Sequence, residues 1–463
     1  MSGSRSGVAE LPRLDQPRSS LGGFLRGTAA LLIAAISVLV AVLAGESWSA
    51  GSLALLFAFS FAGLLLAAWT TRAGAGGSAF LYFFVFALFH GGLVFAYAVH
   101  GDEALIGGGD NSWITAAQLG PAVVLTTIGV AAATVGVLLG RWRSSAGRPS
   151  PLEGVDGARL APVAITLTSI GAVSVAYAIV TNGGLGGEAG YIEFLELVNG
   201  EGAFSYGTLL LGLGLCLMVA ARGRARVAGW VAMGVLGAVA LPLGLRGPVL
   251  FPLLTMVMVE AKRKPLRLWL FGVVAVGVLA MISVIRQTRA RGLTGLLEGG
   301  WTRIDPLDGA AEMGYSLYPV VQVERWMSSG VEPMNGVTFV APVVRFVERL
   351  FGLPSPPGDQ DLRLFNVEIF TRVGPIGGSP IAEGYRNLGL LGVILVMLIL
   401  GWVMSRVDRL PATAAGAAIA AAVVLPLLTA VRNSFAPILP QLMIGALVLI
   451  VAFAPRRHRG LSP

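Results

Sequence analysis

Long apolar runs alternate with short polar connections along most of the chain. Runs of roughly 18 to 20 apolar residues are long enough to cross the hydrocarbon core of a bilayer as helices. The pattern predicts twelve spans, the first taken as an uncleaved span because it is long and no small-residue cleavage motif follows it. They cover 27–45, 52–70, 79–99, 120–140, 161–180, 207–221, 227–245, 247–259, 268–285, 388–404, 412–430 and 435–453.

One long segment, residues 286–387, interrupts this alternation between the ninth and tenth predicted spans. It far exceeds what a connection between two helices needs, and loops of that length are usually functional. We therefore expect an all-α polytopic integral membrane protein with about twelve transmembrane helices. Residues 1–463 would form a single membrane domain, with 286–387 as one long extracytoplasmic loop that covers a functional site.

Composition supports the membrane assignment and orients the chain. Of its 463 residues, 55% are hydrophobic and only 13% are charged, whereas soluble domains carry roughly 25% charge. The basic residues that give the net charge of +8 are scattered between spans, which argues against nucleic-acid binding. They concentrate on every second connection, the positive-inside pattern, so both termini are predicted to be cytoplasmic. The single cysteine, Cys216, excludes a disulfide within the chain and a cysteine metal site.

Within the long loop, one stretch has the pattern of a helix that lies on a membrane. Residues 340–351 read VAPVVRFVERLF, and their apolar residues fall mainly on one helical face. This arrangement is typical of an interfacial amphipathic helix. The stretch that follows, LPSPPGDQDLR at 353–363, is rich in turn-forming residues and is expected to be irregular.

Two arginines break the charge pattern. Arg246 and Arg432 lie in short connections predicted to face outward, and the span after Arg246 is only about thirteen residues long. An arginine in the middle of a span costs about 2.5–3.5 kcal/mol on insertion scales, so such residues are usually functional. Guanidinium groups bind phosphate oxygens in bidentate fashion. With Arg286, Arg289 and Arg291 at the start of the loop, they form a candidate pyrophosphate site, although each could instead extend to the surface or pair with an acidic residue.

Three sequence blocks together resemble a known family. They read GLRGPVLF at 244–251, GAAEMGYSLYPVVQVERW at 309–326 and SPIAEGYRNLGLLGV at 379–393. Their order and spacing resemble the Wzy-type O-antigen polymerases, the oligosaccharide repeat-unit polymerases of bacterial surface polysaccharides. The resemblance extends from about residue 80 onward and is strongest in the E-x-Y-x-N-x-G block of Glu383, Tyr385, Asn387 and Gly389. Leu388 departs from the aromatic residue usual at that position.

The resemblance implies a metal-independent, GT-C-like membrane glycosyltransferase in the bacterial plasma (inner) membrane. On its outer face, a growing glycan would pass from undecaprenyl pyrophosphate to the free end of a new lipid-linked repeat unit. Undecaprenyl pyrophosphate would then be released. The expected partners are the lipid-linked oligosaccharide, membrane lipid, a chain-length regulator and a flippase. No cofactor is expected.

A carboxylate is the expected general base, because the loop contains no histidine. Glu383 is the first candidate and Glu312 the second. Tyr385, Arg386 and Asn387, next to Glu383, are candidate substrate-binding residues. Glu383 could instead pair with Arg386 and only order the loop, and Glu312 could likewise be structural.

Other polar residues are weaker candidates for a functional role. His90 lies in the middle of a span and is expected to be inward-facing and hydrogen-bonded, and His100 is expected to be an exposed cap. Asp359 and Asp361 form a D-x-D in a proline-rich turn, interpreted as solvated, so no metal site is predicted there. The acidic pair Asp102–Glu103 is a minor alternative, because polyprenyl-phosphate transferases usually carry such a pair in an earlier loop.

Two other functions fit parts of the sequence. A lipid-linked oligosaccharide flippase would also have about twelve spans, but no repeat of two halves is detectable and the arginines gather at one face. An O-antigen ligase would perform the same chemistry on a different acceptor, but ligases favour a histidine in the large loop. The polymerase is therefore the preferred interpretation.

Overall fold

A computed structural model describes residues 20–45, 48–71, 73–101, 112–142, 159–181, 202–241, 245–288 and 303–454. The described residues form α-helices, with short 3₁₀ turns at Gly74–Gly76 and Tyr315–Leu317. The first nine helices are α1 Ser20–Leu43, α2 Ala50–Trp69, α3 Ser78–His100, α4 Ala116–Trp142, α5 Leu160–Thr181, α6 Gly202–Ala221, α7 Gly223–Ala240, α8 Gly247–Ala261 and α9 Leu268–Thr288. The remaining helices are α10 Pro306–Gly314, α11 Tyr318–Ser328, α12 Val337–Leu350, α13 Phe365–Arg372, α14 Pro380–Asp408, α15 Ala414–Ala430 and α16 Ile438–Phe453.

The twelve predicted spans coincide with α1 to α9 and α14 to α16, which confirms the all-α polytopic fold. Within the described residues, eight helices are long and apolar enough to cross a membrane, and α8, α15 and α16 are shorter apolar helices. Backbone groups of a helix satisfy one another, so such helices are the form in which a single chain crosses lipid.

Glycines set how closely the helices approach one another. α4 and α14 meet so tightly that a Cβ at Gly136 would lie 2.1 Å from the carbonyl oxygen of Leu398, and one at Gly401 would lie 2.2 Å from that of Ala133. α5 and α6 meet in the same way at Gly171, where a Cβ would lie 2.3 Å from the backbone nitrogen of Leu211. Small residues at such interfaces let helix backbones pack closely in lipid.

α14 is broken near its beginning. Leu388 has non-helical angles (φ −134°, ψ 21°), and Gly389 takes a positive φ of 59° that side chains disfavour. The break separates a buried first segment with Glu383, Arg386 and Asn387 from the long apolar segment that follows. The predicted span, 388–404, corresponds to this second segment.

At its other end, α14 caps α3. The carboxylate of Asp408 accepts a hydrogen bond from the backbone nitrogen of Ser78 (2.6 Å) and another from the hydroxyl of Thr71 (2.8 Å). A carboxylate at a helix start satisfies backbone N–H groups that have no partner within the helix and interacts favourably with the helix dipole. This contact fixes the end of α3 opposite to the candidate site.

Candidate functional site

The short helix α10 enters between α3 and α9. A Cβ at Gly92 of α3 would lie 2.0 Å from the carbonyl oxygen of Ala310, and one at Gly309 would lie 1.9 Å from that of Leu279 in α9. Gly92 and Leu279 lie well inside their apolar helices. We expected the loop to cover the helices, but α10 packs between two of them and carries Glu312 into a buried position.

Glu312 lies between two arginines from other helices. Its Oε1 is 2.7 Å from Nη2 of Arg246, which directly precedes α8, and its Oε2 is 3.4 Å from Nε of Arg286 in the last turn of α9. All three side chains are at least nine-tenths buried. The cluster carries one net positive charge, and a buried charge needs such partners to offset its desolvation. The structure thus brings together three of the residues predicted from sequence.

The guanidinium group of Arg246 has a hydrogen-bond donor that the described residues do not satisfy. Nη1 of Arg246 is buried and has no hydrogen-bond partner among the described residues. Buried donors almost always form a hydrogen bond, and a buried donor without one costs about 1–3 kcal/mol. An acceptor oxygen from a bound molecule would satisfy it.

An apolar cavity of about 510 Å³ is lined in part by residues close in sequence to Arg246 and Arg286. It lies between α7, α8 and α9, and Ile285, which directly precedes Arg286, is part of its wall. Val249 of α8, three residues after Arg246, is another wall residue. The other lining residues are Trp230, Met233, Gly234, Gly237, Ala238, Leu241, Leu253, Met281 and Val284. The apolar wall suits a hydrocarbon chain.

Glu383 belongs to a second buried group. Its Oε1 accepts a hydrogen bond from the hydroxyl of Thr338 in α12 (2.7 Å), and its Oε2 accepts one from the backbone nitrogen of Phe435 (2.6 Å). Nδ2 of Asn387 donates to Oγ1 of Thr338 (2.6 Å) and to the carbonyl oxygen of Glu383 (2.8 Å). Asn387 therefore orients Thr338, and Thr338 in turn orients the Glu383 carboxylate.

Arg386 does not pair with Glu383, the alternative that the sequence left open. Its Nη2 lies 2.8 Å from Oε1 of Glu368 in α13, and its Nε donates to Oε2 of the same carboxylate (3.0 Å). Its Nη1 donates to the carbonyl oxygen of Glu332. Every nitrogen of this buried guanidinium already binds protein, so we assign Arg386 to holding the loop together rather than to the substrate.

Arg432 lies near the Glu383 group rather than in the Glu312 cluster. Its carbonyl oxygen accepts a hydrogen bond from the backbone nitrogen of Gly378 (2.8 Å), which fixes the turn after α15 against the segment that leads to Glu383. A cavity of about 190 Å³ extends between Gly247 and Asn433, the residues that follow Arg246 and Arg432 in the chain. The neighbourhoods of the two predicted arginines therefore share one cavity.

Both groups are built against the same stretch of α3. His90 is fully buried, and its Nε2 lies 2.9 Å from the hydroxyl of Ser379, the residue that caps the start of α14. Two residues later, Gly92 contacts α10. His90 is thus inward-facing and hydrogen-bonded, as expected, and this part of α3 positions the helices that carry Glu383 and Glu312.

The remaining predicted residues contribute less to the geometry. Tyr385 is partly buried and packs against the hydrophobic core. Arg289 and Arg291, together with the acidic pair Asp102–Glu103, lie outside the described residues.

The D-x-D turn is not fully solvated, in contrast to the interpretation from the sequence. Asp359 is exposed, but Asp361 is buried and paired with Arg345 of α12 and with Arg363 (2.9 Å). Hydrogen bonds from Arg363 and then from Arg345 outweigh the opposing effect of burial and lower the pKa of Asp361 to about 2. Asp361 is therefore a structural anion that secures the irregular segment 353–363 to α12.

Sequence reasoning missed two residues that shape the site. Thr338 contacts both Glu383 and Asn387, and Glu368 neutralises Arg386. Nothing in their local sequence marks them, because their partners lie 45 and 18 residues away, respectively. Thr338 does lie on α12, the helix that the apolar pattern predicted.

A family model for the O-antigen polysaccharide polymerase Wzy matches residues 28–456, which is nearly the whole chain. No curated protein and no solved structure matches this chain. The matched range includes both buried groups and all three blocks on which the resemblance rested. The chain therefore belongs to the Wzy family of O-antigen polysaccharide polymerases.

Proposed function

We propose that this polymerase joins oligosaccharide repeat units carried on undecaprenyl pyrophosphate, at the outer face of the plasma membrane. A hydroxyl at the free end of a new lipid-linked repeat unit attacks the anomeric carbon of the growing glycan. The bond from that carbon to the pyrophosphate oxygen breaks, and undecaprenyl pyrophosphate leaves with the electron pair. The hydroxyl proton passes to a carboxylate of the enzyme.

The observation that carries this proposal is the buried Arg246 with an unsatisfied Nη1 beside a second arginine, Arg286. Pyrophosphate oxygens are strong acceptors for such donors, and charge-assisted bonds to guanidinium are about twice as strong as neutral ones. The apolar cavity between α7, α8 and α9 offers a matching environment for a polyprenyl chain. Together, the arginine cluster and this cavity would accommodate both ends of the same donor lipid.

We assign different roles to the two glutamates. Glu312 contacts Arg246 and Arg286, which favours its ionised form and makes it a poor proton acceptor. Its role is to hold the two guanidinium groups in place. Among the residues that the structure describes, the Glu383 carboxylate is bound by a hydroxyl and a backbone N–H, and no arginine pairs with it. Glu383 is therefore the proposed general base, and Thr338 and Asn387 are positioning residues.

Arginine-to-lysine variants test the pyrophosphate site. Lysine keeps the charge but lacks the planar fork that contacts two phosphate oxygens. A lost charge-assisted hydrogen bond costs about 1.5–3 kcal/mol, so Arg246→Lys should lower polymerisation roughly ten- to a hundredfold. Arg432→Lys should also lose most activity. The assay is polymer formation from purified lipid-linked repeat units in liposomes.

Arg267→Lys, in the connection between α8 and α9 that is predicted to be cytoplasmic, is the matched control and should retain activity. All variants should elute as monodisperse protein in detergent. Normal polymerisation by both Arg246→Lys and Arg432→Lys would refute bidentate phosphate binding at these positions.

A further inference from the structure

Three potential metal ligands meet where α3 ends and α10 begins. They are His100, the last residue of α3, Asp305, which caps the start of α10, and Asp308 in its first turn. One ligand atom from each lies within 4.8 Å of the other two. Nε2 of His100 is 3.1 Å from Oδ2 of Asp305. The sequence suggested an exposed cap for His100, but its side chain is only 16% exposed and faces these carboxylates.

Asp308 is the informative member of this group. The residue is only 6% exposed, yet its carboxylate forms no hydrogen bond and no ion pair with any residue that the structure describes. Carboxylates of buried residues are normally paired or bound to metal. Nε2 of His100 is also buried and lacks a hydrogen bond of good geometry to the described residues. The carboxylate of Asp308 and Nε2 of His100 are thus both available to an ion between them.

We propose that His100, Asp305 and Asp308 bind one divalent transition-metal ion of the Zn²⁺ or Mn²⁺ class. An imidazole nitrogen with two carboxylates suits these ions better than Mg²⁺ or Ca²⁺, which prefer oxygen ligands alone. Zinc binds such ligands at about 2.0–2.2 Å, so two ligand atoms are at most about 4.4 Å apart. The present spacing, within 4.8 Å, is close to that limit.

The charge balance also favours a cation. Oδ1 of Asp305 accepts a hydrogen bond from the backbone nitrogen of Leu307 (2.8 Å), which orients the carboxylate. Its Oδ2 lies 2.6 Å from Nη2 of Arg303, a side chain that is 43% exposed. Counting the two aspartates and Arg303, with His100 neutral, the group carries a formal charge of −1. A divalent ion would reverse that excess without displacing the bond that orients Asp305.

The ion would be structural and would join the end of α3 to the start of α10. Asp308 and Glu312 are four residues apart on α10, about 6 Å along the helix. The ion would therefore steady the helix that presents Glu312, and glycosyl transfer itself would not require it. It would also neutralise two carboxylates near the proposed pyrophosphate site, a consequence that rests on the proposed function.

Direct binding of Zn²⁺ to the purified protein, measured by titration calorimetry in detergent after metal removal, tests the site. Wild type should bind one ion per chain at saturation. Asp308→Asn and His100→Gln should each weaken binding at least about tenfold, since even the loss of a residue behind the ligands typically weakens metal binding by 10- to 100-fold. Asp359→Asn, which alters an exposed aspartate of the same loop, is the control and should bind like wild type.

Thermal unfolding gives a second measurement that does not depend on polymer synthesis. Zn²⁺ should raise the unfolding midpoint of wild type and of Asp359→Asn, but not that of Asp308→Asn. If wild type shows no saturable binding, or if Asp308→Asn and His100→Gln bind as tightly as wild type, the site is refuted. A wild-type midpoint that does not respond to Zn²⁺ would mean that ion pairing, rather than a metal, holds these three residues together.

Discussion

At the scale of single residues, the two candidate glutamates differ in what surrounds them. Glu312 touches two guanidinium groups, whereas Glu383 is held by a hydroxyl and a backbone N–H. Neighbouring positive charge stabilises a carboxylate and weakens it as a base, but neutral donors orient it with less effect on its charge. Their sequence contexts look alike, and only the folded structure separates an arginine-orienting role from a proton-accepting one.

Glu383→Gln should therefore accumulate single lipid-linked repeat units and make almost no polymer. Glutamine keeps the size and most of the hydrogen bonding but cannot accept the proton, and removal of a general base typically costs about 10²–10⁴ in rate. Affinity for the lipid-linked repeat unit should stay near normal. Thr338→Val, which removes the hydroxyl that orients Glu383, should lower turnover less.

Binding and turnover measured separately decide this assignment. Glu312→Gln should instead weaken binding of the donor, because Arg246 and Arg286 lose the carboxylate between them. Weak binding by Glu383→Gln with normal turnover at saturating substrate would make Glu383 a binding residue and would make Glu312 the next candidate for the base.

At the scale of elements, α10 depends on contacts that only glycine permits. Gly92→Ala would place a Cβ 2.0 Å from the carbonyl oxygen of Ala310, so α10 and Glu312 must shift. We expect this variant to lose most polymerising activity, although alanine is intrinsically better in a helix by about 1 kcal/mol. Gly272→Ala in α9 is the matched control, because a Cβ there meets nothing within 4 Å. Equal activity of the two variants in the liposome assay would contradict the role assigned to this contact.

The helix α12 has its polar side toward the protein and its apolar side outward. Thr338 and Arg345 are buried, whereas Phe346 is 57% and Leu350 65% exposed. The chain just before α12 is hydrogen-bonded to Arg386 and Asn387, directly before the break at which the apolar part of α14 begins. Exposed leucines of α14, Leu388, Leu390 and Leu391, follow at that point. This arrangement fits a helix that rests on lipid, as its pattern predicts.

Spin labels test the position of α12. In a Cys216→Ser background, labels at Phe346→Cys and Leu350→Cys should relax more with dissolved oxygen than with a water-soluble nickel chelate, because oxygen concentrates in lipid. A label at Asp359→Cys, an exposed position in the turn after α12, should show the reverse. If labels on α12 are as accessible to nickel as the control, its apolar face does not lie in the membrane.

At the scale of the whole molecule, the sequence predicted the elements better than their contacts. Every apolar run became a helix, because length and hydropathy alone determine which segments can cross a bilayer. The sequence predicted Arg246, Arg286 and Glu312 as site residues but did not predict that they contact one another. Those contacts require α10 to enter between α3 and α9. The pairing of Arg386 with Glu368 was missed, because ion pairs between separate helices leave no local pattern.

The central claim is that this chain couples formation of glycosidic linkages to release of undecaprenyl pyrophosphate. The most direct measurement counts both products when the purified wild-type protein, in liposomes, is given lipid-linked repeat units labelled in the sugar and in the lipid. We predict one undecaprenyl pyrophosphate released for each new linkage, with both products reduced in parallel in Arg246→Lys. Movement of the labelled lipid across the bilayer without any new linkage would contradict the claim and indicate a transporter.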